Sequence, residues 1–283
     1  MSKTKVKELR EEKFLLKIAE EAARAAAEAA RKVIGGGQAS KIEGVGASGD
    51  TTLRVDKAAE EAILRVLENR LGSGYAVLSE EQGYRKYSAD YPLFIIDPID
   101  GSYNVKRGLL PYAVSIAIAH GGSLKDVAAG VVLPLNPSAQ PYKALKGEGA
   151  FVGDRKLTIK EASPHSAPSI AINFSASTGA QIAEIVKELL KKKWKIRGYG
   201  CGSLEVAWVT EGLDASLVLG HARVIDYAAA MLIVKEAGGT VLYAPKDARL
   251  SLERKISLIA AKNAKLAREI AETTKTHAQW AKL

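Results

Sequence analysis

Across 283 residues, 47% are apolar and 26% charged, which fits a globular chain of about two domain units with a sizeable core and excludes disorder and fibrous repeats. The 41 Lys plus Arg outnumber the 32 Asp plus Glu to give a net charge of +9, which suits a phosphorylated or otherwise anionic small substrate as readily as nucleic acid. A single cysteine, Cys201, excludes an intrachain disulfide and a cysteine-built zinc cage and points to a reducing compartment.

In chain order, residues 1–10 are charged without an apolar centre and the later apolar runs are strand-length, so a soluble, cytoplasmic protein with no membrane contact is expected. Residues 6–34 place Phe14, Leu15, Ile18 and Ala22 at helical spacing and stop at three glycines, the pattern of a long amphipathic helix. Glu20, Glu21 and Glu28 interrupt its basic residues, so a solvated face is expected there rather than a nucleic-acid arm. Residues 44–52, with Asp50 among glycines and serines, read as a mobile loop feeding a helix over 55–71. Short apolar runs at 75–78 and 93–96 stop at Glu80-Glu81 and at Asp97, as buried strands do at a sheet edge. Residues 112–119 and 127–133 read as a hairpin.

Further on, strands at 169–174, 195–199, 215–219, 240–242 and 256–260 alternate with helices at 180–193, 203–211, 226–237 and 264–273. The expected organisation is an N-terminal α+β half, 1–160, and a C-terminal α/β half, 161–283, sharing an interface with the site in the cleft between them.

The chemistry concentrates at Asp97-Pro98-Ile99-Asp100-Gly101-Ser102, where an apolar strand ends in two carboxylates and Gly-Ser opens a turn or helix with free amides. Carboxylates suit a hard divalent cation and free amides suit a phosphate, although Asp-Pro and Asp-Gly make an ordinary surface turn equally well. Glu80-Glu81 and Asp226, which opens a helix, could converge on the same point; adjacent glutamates are commonly solvated, and a helix-start aspartate is commonly an N-cap. The glycine-rich run from Gly198 to Ser203 lacks the downstream acid of a dinucleotide fingerprint. His120, His165, His221 and His277 show no ligand spacing, and the basic cluster of residues 191–197 reads as a solvated helix end.

Glu80-Glu81, then residues 97–102, then Ile225-Asp226-Tyr227-Ala228-Ala229-Ala230 with Glu236-Ala237-Gly238-Gly239, in that order, resemble the inositol monophosphatase family, in particular its archaeal type acting on both inositol monophosphate and fructose 1,6-bisphosphate. The resemblance runs from about Asp50 to Gly239. It implies an αβαβα layered sandwich, a Mg²⁺-dependent phosphomonoesterase, and a homodimer or higher homo-oligomer. It further implies that Glu80, Asp97 and the Ile99 carbonyl hold one Mg²⁺ while Asp97, Asp100 and Asp226 hold a second, on the order of two or three ions per subunit. Asp56 and Ser102 would orient the attacking water, with Glu80 among the catalytic acids, and the Gly101 and Ser102 amides would receive phosphate. The family usually has threonine at position 102; serine keeps the hydroxyl. Gly202, Ser203 and Leu204 would line the substrate, and Arg223, three residues before Asp226, could meet a second phosphate.

The implied substrates are myo-inositol 1-phosphate and fructose 1,6-bisphosphate. Inositol-selective members carry a glutamate seven residues before the matched aspartate, where this chain has Leu219, which shifts the expectation toward the bisphosphate. A nucleotide 3′-phosphatase of the same superfamily is the alternative enzyme. A catalytically idle relative binding phosphorylated ligands or RNA is the alternative of another class, and intact acids at every matched position argue against it.

Overall fold

The computed structural model describes residues 3–160, 167–274 and 280–283; His165 and His277 lie outside them. The elements are α1 (Lys3–Gly35), β1 (Ile42–Val45), β2 (Thr51–Leu53), α2 (Arg54–Leu71), β3 (Gly74–Ser79), β4 (Gly83–Asp100), α3 (Ser102–Arg107), β5 (Ala113–Ala119), β6 (Val127–Pro134), β7 (Tyr142–Leu145), β8 (Gly149–Val152) and β9 (Arg155–Leu157). The chain continues through β10 (Ser169–Asn173), α4 (Gly179–Lys191), β11 (Lys195–Arg197), α5 (Gly202–Ala207), β12 (Ala215–Arg223), α6 (Val224–Glu236), β13 (Thr240–Ala244), β14 (Lys255–Ala261), α7 (Ala264–Thr273) and β15 (Ala281–Lys282).

Two sheets carry the structure. One has seven strands in the order β3-β4-β5-β6-β7-β8-β9, and the other six in the order β11-β10-β12-β14-β13-β15. Helices α1 and α2 cover the outer face of the first sheet, α5 and α6 lie between the sheets, and α4 and α7 cover the outer face of the second. This is the αβαβα layering.

Side-chain pattern decides which layer each helix enters. The buried stripe of α1 is Leu15, Ile18, Ala19, Ala22, Ala23, Ala26, Ala27 and Ala30, at the three- and four-residue spacing of one face, and its alanines let α2 approach closely. Helix α6 has no polar stripe: every residue from Tyr227 to Val234 is buried, because it is covered by a sheet on each side. No helix among the described residues is long and apolar enough to cross a membrane.

Three details differ from the sequence reading. Residues 44–52 are tied down rather than loose, since β1 and β2 pair antiparallel and Ala47 N and Ser48 N donate to the carbonyls of Glu81 (2.8 Å) and Glu80 (3.0 Å). Strand β4 is much longer than 93–96: residues 83–88 run antiparallel along one edge of β3 and residues 93–96 run parallel along its other edge. The helix expected over 203–211 is the shorter α5 followed by a 3₁₀ turn over Trp208–Thr210.

Candidate active site

Three element ends meet at one point. Strand β3 delivers Glu80 and Glu81 just past its last residue, β4 ends in Asp97–Asp100, and α6 begins two residues before Asp226. The turn from β4 into α3 is made by Gly101, whose φ of 96° is costly for a residue with a Cβ and whose Cβ would stand 3.0 Å from the Pro111 carbonyl. The cavity there, about 330 Å³, is lined by the predicted Glu80, Asp97, Ile99, Asp100, Gly101, Ser102, Arg223 and Asp226. Asp50, Thr51, Glu81, Lys106 and Tyr227 complete the wall.

Asp56 sits behind this wall, 3% exposed, and accepts a hydrogen bond from Leu53 N at 2.7 Å. The Ser102 hydroxyl donates to the Ile99 carbonyl at 3.0 Å, so two groups expected at the site are bonded to each other, and Asp56 bonds the start of its own helix. Asp97 caps its own turn by accepting from Ile99 N at 3.1 Å.

Asp100 joins the end of β4 to the start of α5. Its carboxylate accepts from Gly202 N (3.1 Å), Ser203 N (2.6 Å), Ser203 Oγ (2.6 Å) and Cys201 Sγ (3.2 Å). Gly202, Ser203 and Leu204 are therefore not in the cavity wall. The first two spend their amides on Asp100, Leu204 is core, and a Cβ at Gly202 would overlap the Tyr227 ring. The Gly202 and Ser203 amides thus stand behind an acid of the cavity wall.

Arg223 is turned inward. Its Nη1 lies 3.0 Å from Glu80 Oε1, its Nε 3.8 Å from Asp226 Oδ2, and its Nη2 pairs with Asp50. The guanidinium thus stands among the acids rather than reaching toward open solvent.

The electrostatics follow from burying acids together. Desolvation, then the carboxylates of Glu80, Asp100 and Asp226, holds Asp97 well above the usual carboxylate range. Asp226 is raised by burial and by Glu80, against the pull of Arg223. Burial pushes Glu80 up to about 7 despite Arg223 beside it, and burial pushes Asp56 up to about 7 despite its bond from Leu53 N. Such a cluster is unfavourable as a set of anions and calls for cationic charge.

The donors fit magnesium in kind. They are all oxygen, and Asp226 Oδ1 is buried with no hydrogen-bond partner, a free ligand position at the centre of the cluster. Among the described residues, no three acidic, histidine or cysteine side chains stand close enough around one point to hold an ion without adjustment. The reason is visible: Arg223 engages Glu80 and Asp226, and the Asp100 oxygens face the α5 amides.

Lys106, Thr51 and Tyr227 were not singled out from the sequence. Lys106 follows Ser102 by four residues on α3, the spacing that puts two side chains on one helix face, so that signal was available once α3 was known to start at Ser102. The two described histidines lie elsewhere: His120 Nε2 is 2.6 Å from Glu12, and His221 bonds Asn173 and the Leu219 carbonyl.

A model of the inositol monophosphatase family matches residues 11–279. The chain belongs to this family. Membership makes it a phosphoric monoester hydrolase. A Thermococcus kodakarensis protein named fructose-1,6-bisphosphatase/inositol-1-monophosphatase is 32% identical over 243 residues, 84% of this chain and 88% of the relative. A solved structure from Pyrococcus horikoshii, described as having similarities to inositol-1 monophosphatase, superposes with a TM-score of 0.74 at 28% identity over 92% of this chain and 98% of that one. The suhB protein of Bartonella henselae shares the fold with a TM-score of 0.79 at 24% identity, over 93% of this chain and 99% of the other.

Proposed function

We propose that this family phosphatase is Mg²⁺-dependent and hydrolyses fructose 1,6-bisphosphate and myo-inositol 1-phosphate. The observation that carries the reading is the gathering of Glu80, Asp97, Asp100 and Asp226 at one cavity beside the Gly101–Ser102 amides, with a buried oxygen of Asp226 left without a partner. Glu80, Asp97, Asp226 and the Ile99 carbonyl would hold the ions, and Asp100 would join them if it released α5. Bound Mg²⁺ supplies charge neutralisation at the phosphoryl group and lowers the pKa of a coordinated water.

The residues of the chain do the positioning. The Gly101 and Ser102 amides and the Lys106 ammonium offer the phosphoryl oxygens a cationic and donor surface at the start of α3. In this reading Asp56, raised to about 7 by burial, would take a proton relayed by the Ser102 hydroxyl once that hydroxyl leaves the Ile99 carbonyl. No covalent phosphoenzyme is required.

On the sugar side, Leu219 is 2% exposed and packs against the α4–α7 layer, so it offers no carboxylate to ring hydroxyls. That supports turnover of the bisphosphate at least comparable with inositol 1-phosphate, in line with the double name of the Thermococcus relative. The reading includes a cytoplasmic homo-oligomer; exposed Leu109, Leu110 and Phe174 around one cavity of about 400 Å³ support association of copies.

The test is phosphate release from fructose 1,6-bisphosphate, myo-inositol 1-phosphate and a nucleoside 3′-phosphate, each with Mg²⁺ and with EDTA. Release from the sugar phosphates only with Mg²⁺ supports the reading. Preference for the nucleotide by about tenfold or more in kcat/KM would replace the substrate assignment.

A further inference from the structure

Arg223 closes β12 and stands at the N-cap of α6 with an extended backbone, so its side chain emerges where strand and helix meet and is held in place from both sides. Each of its three guanidinium nitrogens faces a different acid: Nη1 meets Glu80 at 3.0 Å, Nε faces Asp226 at 3.8 Å, and Nη2 pairs with Asp50. The side chain is only 18% exposed, so these are not solvent-screened surface pairs. Asp50 belongs to the connection between β1 and β2 that is fastened to the Glu80-Glu81 backbone. The same guanidinium therefore ties together α6, the end of β3 and this hairpin.

Two of its three partners, Glu80 and Asp226, are acids that the proposed function gives to the metal. An ammonium or guanidinium and a divalent ion cannot use the same carboxylate oxygens, and their like charges repel across the few ångströms available. We propose that Arg223 is a tethered counter-cation: it neutralises Glu80 and Asp226 in the metal-free protein, competes with Mg²⁺ for them, and is released from both when the ion enters. Its outer partner, Asp50, is 63% exposed at the side chain, so the guanidinium can swing outward about that pair without crossing the core. Released in that direction, it faces the mouth of the cavity, where an anionic substrate arrives. Metal loading then prepares the cation that meets the substrate. The inference rests on the proposed metal site and adds the competitor.

The experiment is isothermal calorimetry of Mg²⁺, and of Mn²⁺ as a tighter probe, binding to full-length EDTA-treated protein without substrate. Three proteins are compared: wild type, Arg223→Met, which keeps an apolar stem and removes the charge, and Arg223→Lys, which keeps a charge. Far-UV circular dichroism and thermal melting are recorded for each. Removal of the competitor is expected to tighten ion binding by about fivefold or more in Arg223→Met, leave Arg223→Lys within about twofold of wild type, and lower the metal-free melting temperature of Arg223→Met while enlarging its rise on adding Mg²⁺. Millimolar methylguanidinium, too short-lived a binder to matter in wild type, is expected to weaken Mg²⁺ binding to Arg223→Met. Folded Arg223→Met that binds Mg²⁺ no tighter than wild type overturns the inference while leaving the metal site standing. Absence of Mg²⁺ binding in all three proteins overturns the metal site and the inference with it. Should Arg223→Met not fold, Arg223→Gln replaces it with the same criterion.

Discussion

Replacing Asp100 by asparagine separates two tasks that a ligand-only view of this acid would merge. The Asp100 carboxylate accepts from Ser203 N and Oγ at 2.6 Å each, from Gly202 N at 3.1 Å and from Cys201 Sγ at 3.2 Å, which fastens the end of β4 to the start of α5 in the layer between the sheets. An asparagine can keep its oxygen toward Ser203, but its NH₂ then confronts the Gly202 N–H, donor against donor. One charge-assisted bond is lost, one amide is left unpaired and the two Ser203 bonds weaken to neutral strength. At about 1–3 kcal/mol for an unsatisfied buried group, the expected loss is ~2–4 kcal/mol. The assay is urea unfolding in EDTA, so that no metal linkage enters, with phosphate release measured in parallel. Asp97 gives the contrast. Its carboxylate accepts one local bond, from Ile99 N, and burial among Glu80, Asp100 and Asp226 disfavours its charge, so Asp97→Asn should cost under ~1 kcal/mol in EDTA while abolishing Mg²⁺-supported turnover. Asp100→Asn within about 0.5 kcal/mol of wild type would refute the fastening role.

Other outcomes follow from the same geometry. Glu80 is raised from 4.5 to about 7, chiefly by burial, so the folded protein holds that proton more tightly than the unfolded chain does. Its stability contribution is then complete below the unfolded value and is lost as pH rises through about 7; melting in EDTA should show wild type losing stability relative to Glu80→Gln between pH 5 and 8, with ~10 mM Mg²⁺ abolishing the difference. A pH-independent difference would count against it. Lys106→Ala should raise KM for phosphorylated substrates by about tenfold with kcat changed far less, read from initial rates; an unchanged KM would remove Lys106 from phosphate binding. Gly101→Ala should lower both stability and activity, because φ of 96° strains any residue with a Cβ and the Pro111 carbonyl at 3.0 Å would have to give way; wild-type melting would show that the turn can relax.

The parts of the site that were legible in the sequence are those marked by abrupt chemistry: apolar β3 and β4 stopping at Glu80 and Asp97, and Asp226 opening the largely apolar α6. The long helix, α2 and the β5–β6 hairpin were likewise readable from periodicity and glycine stops. The first part of β4 was not, because residues 84–92 are all exposed or half-exposed and include Arg85 and Lys86, a composition that reads as loop. Strands β7–β9 are three or four residues long and too short to carry a period. Strands β1 and β2 bury only Leu53, so no apolar pattern announces them. At the site, the partners of Asp100 and Arg223 were beyond reach for another reason. The Ser203 amide is 103 residues from Asp100 and Asp50 is 173 residues from Arg223, and no local spacing encodes such pairs. Sequence spacing therefore set Arg223 near Asp226 without saying that it turns into the acids, and said nothing of the Gly202 and Ser203 amides holding Asp100.

The most direct measurement is phosphate release from fructose 1,6-bisphosphate during titration of Mg²⁺ into EDTA-treated protein, with EDTA added again at the end. Release that is absent at the start, saturates with Mg²⁺ and stops on chelation is the expected result. Release that is equal before the titration, at saturation and after chelation would contradict a Mg²⁺-dependent phosphomonoesterase built on Glu80, Asp97 and Asp226.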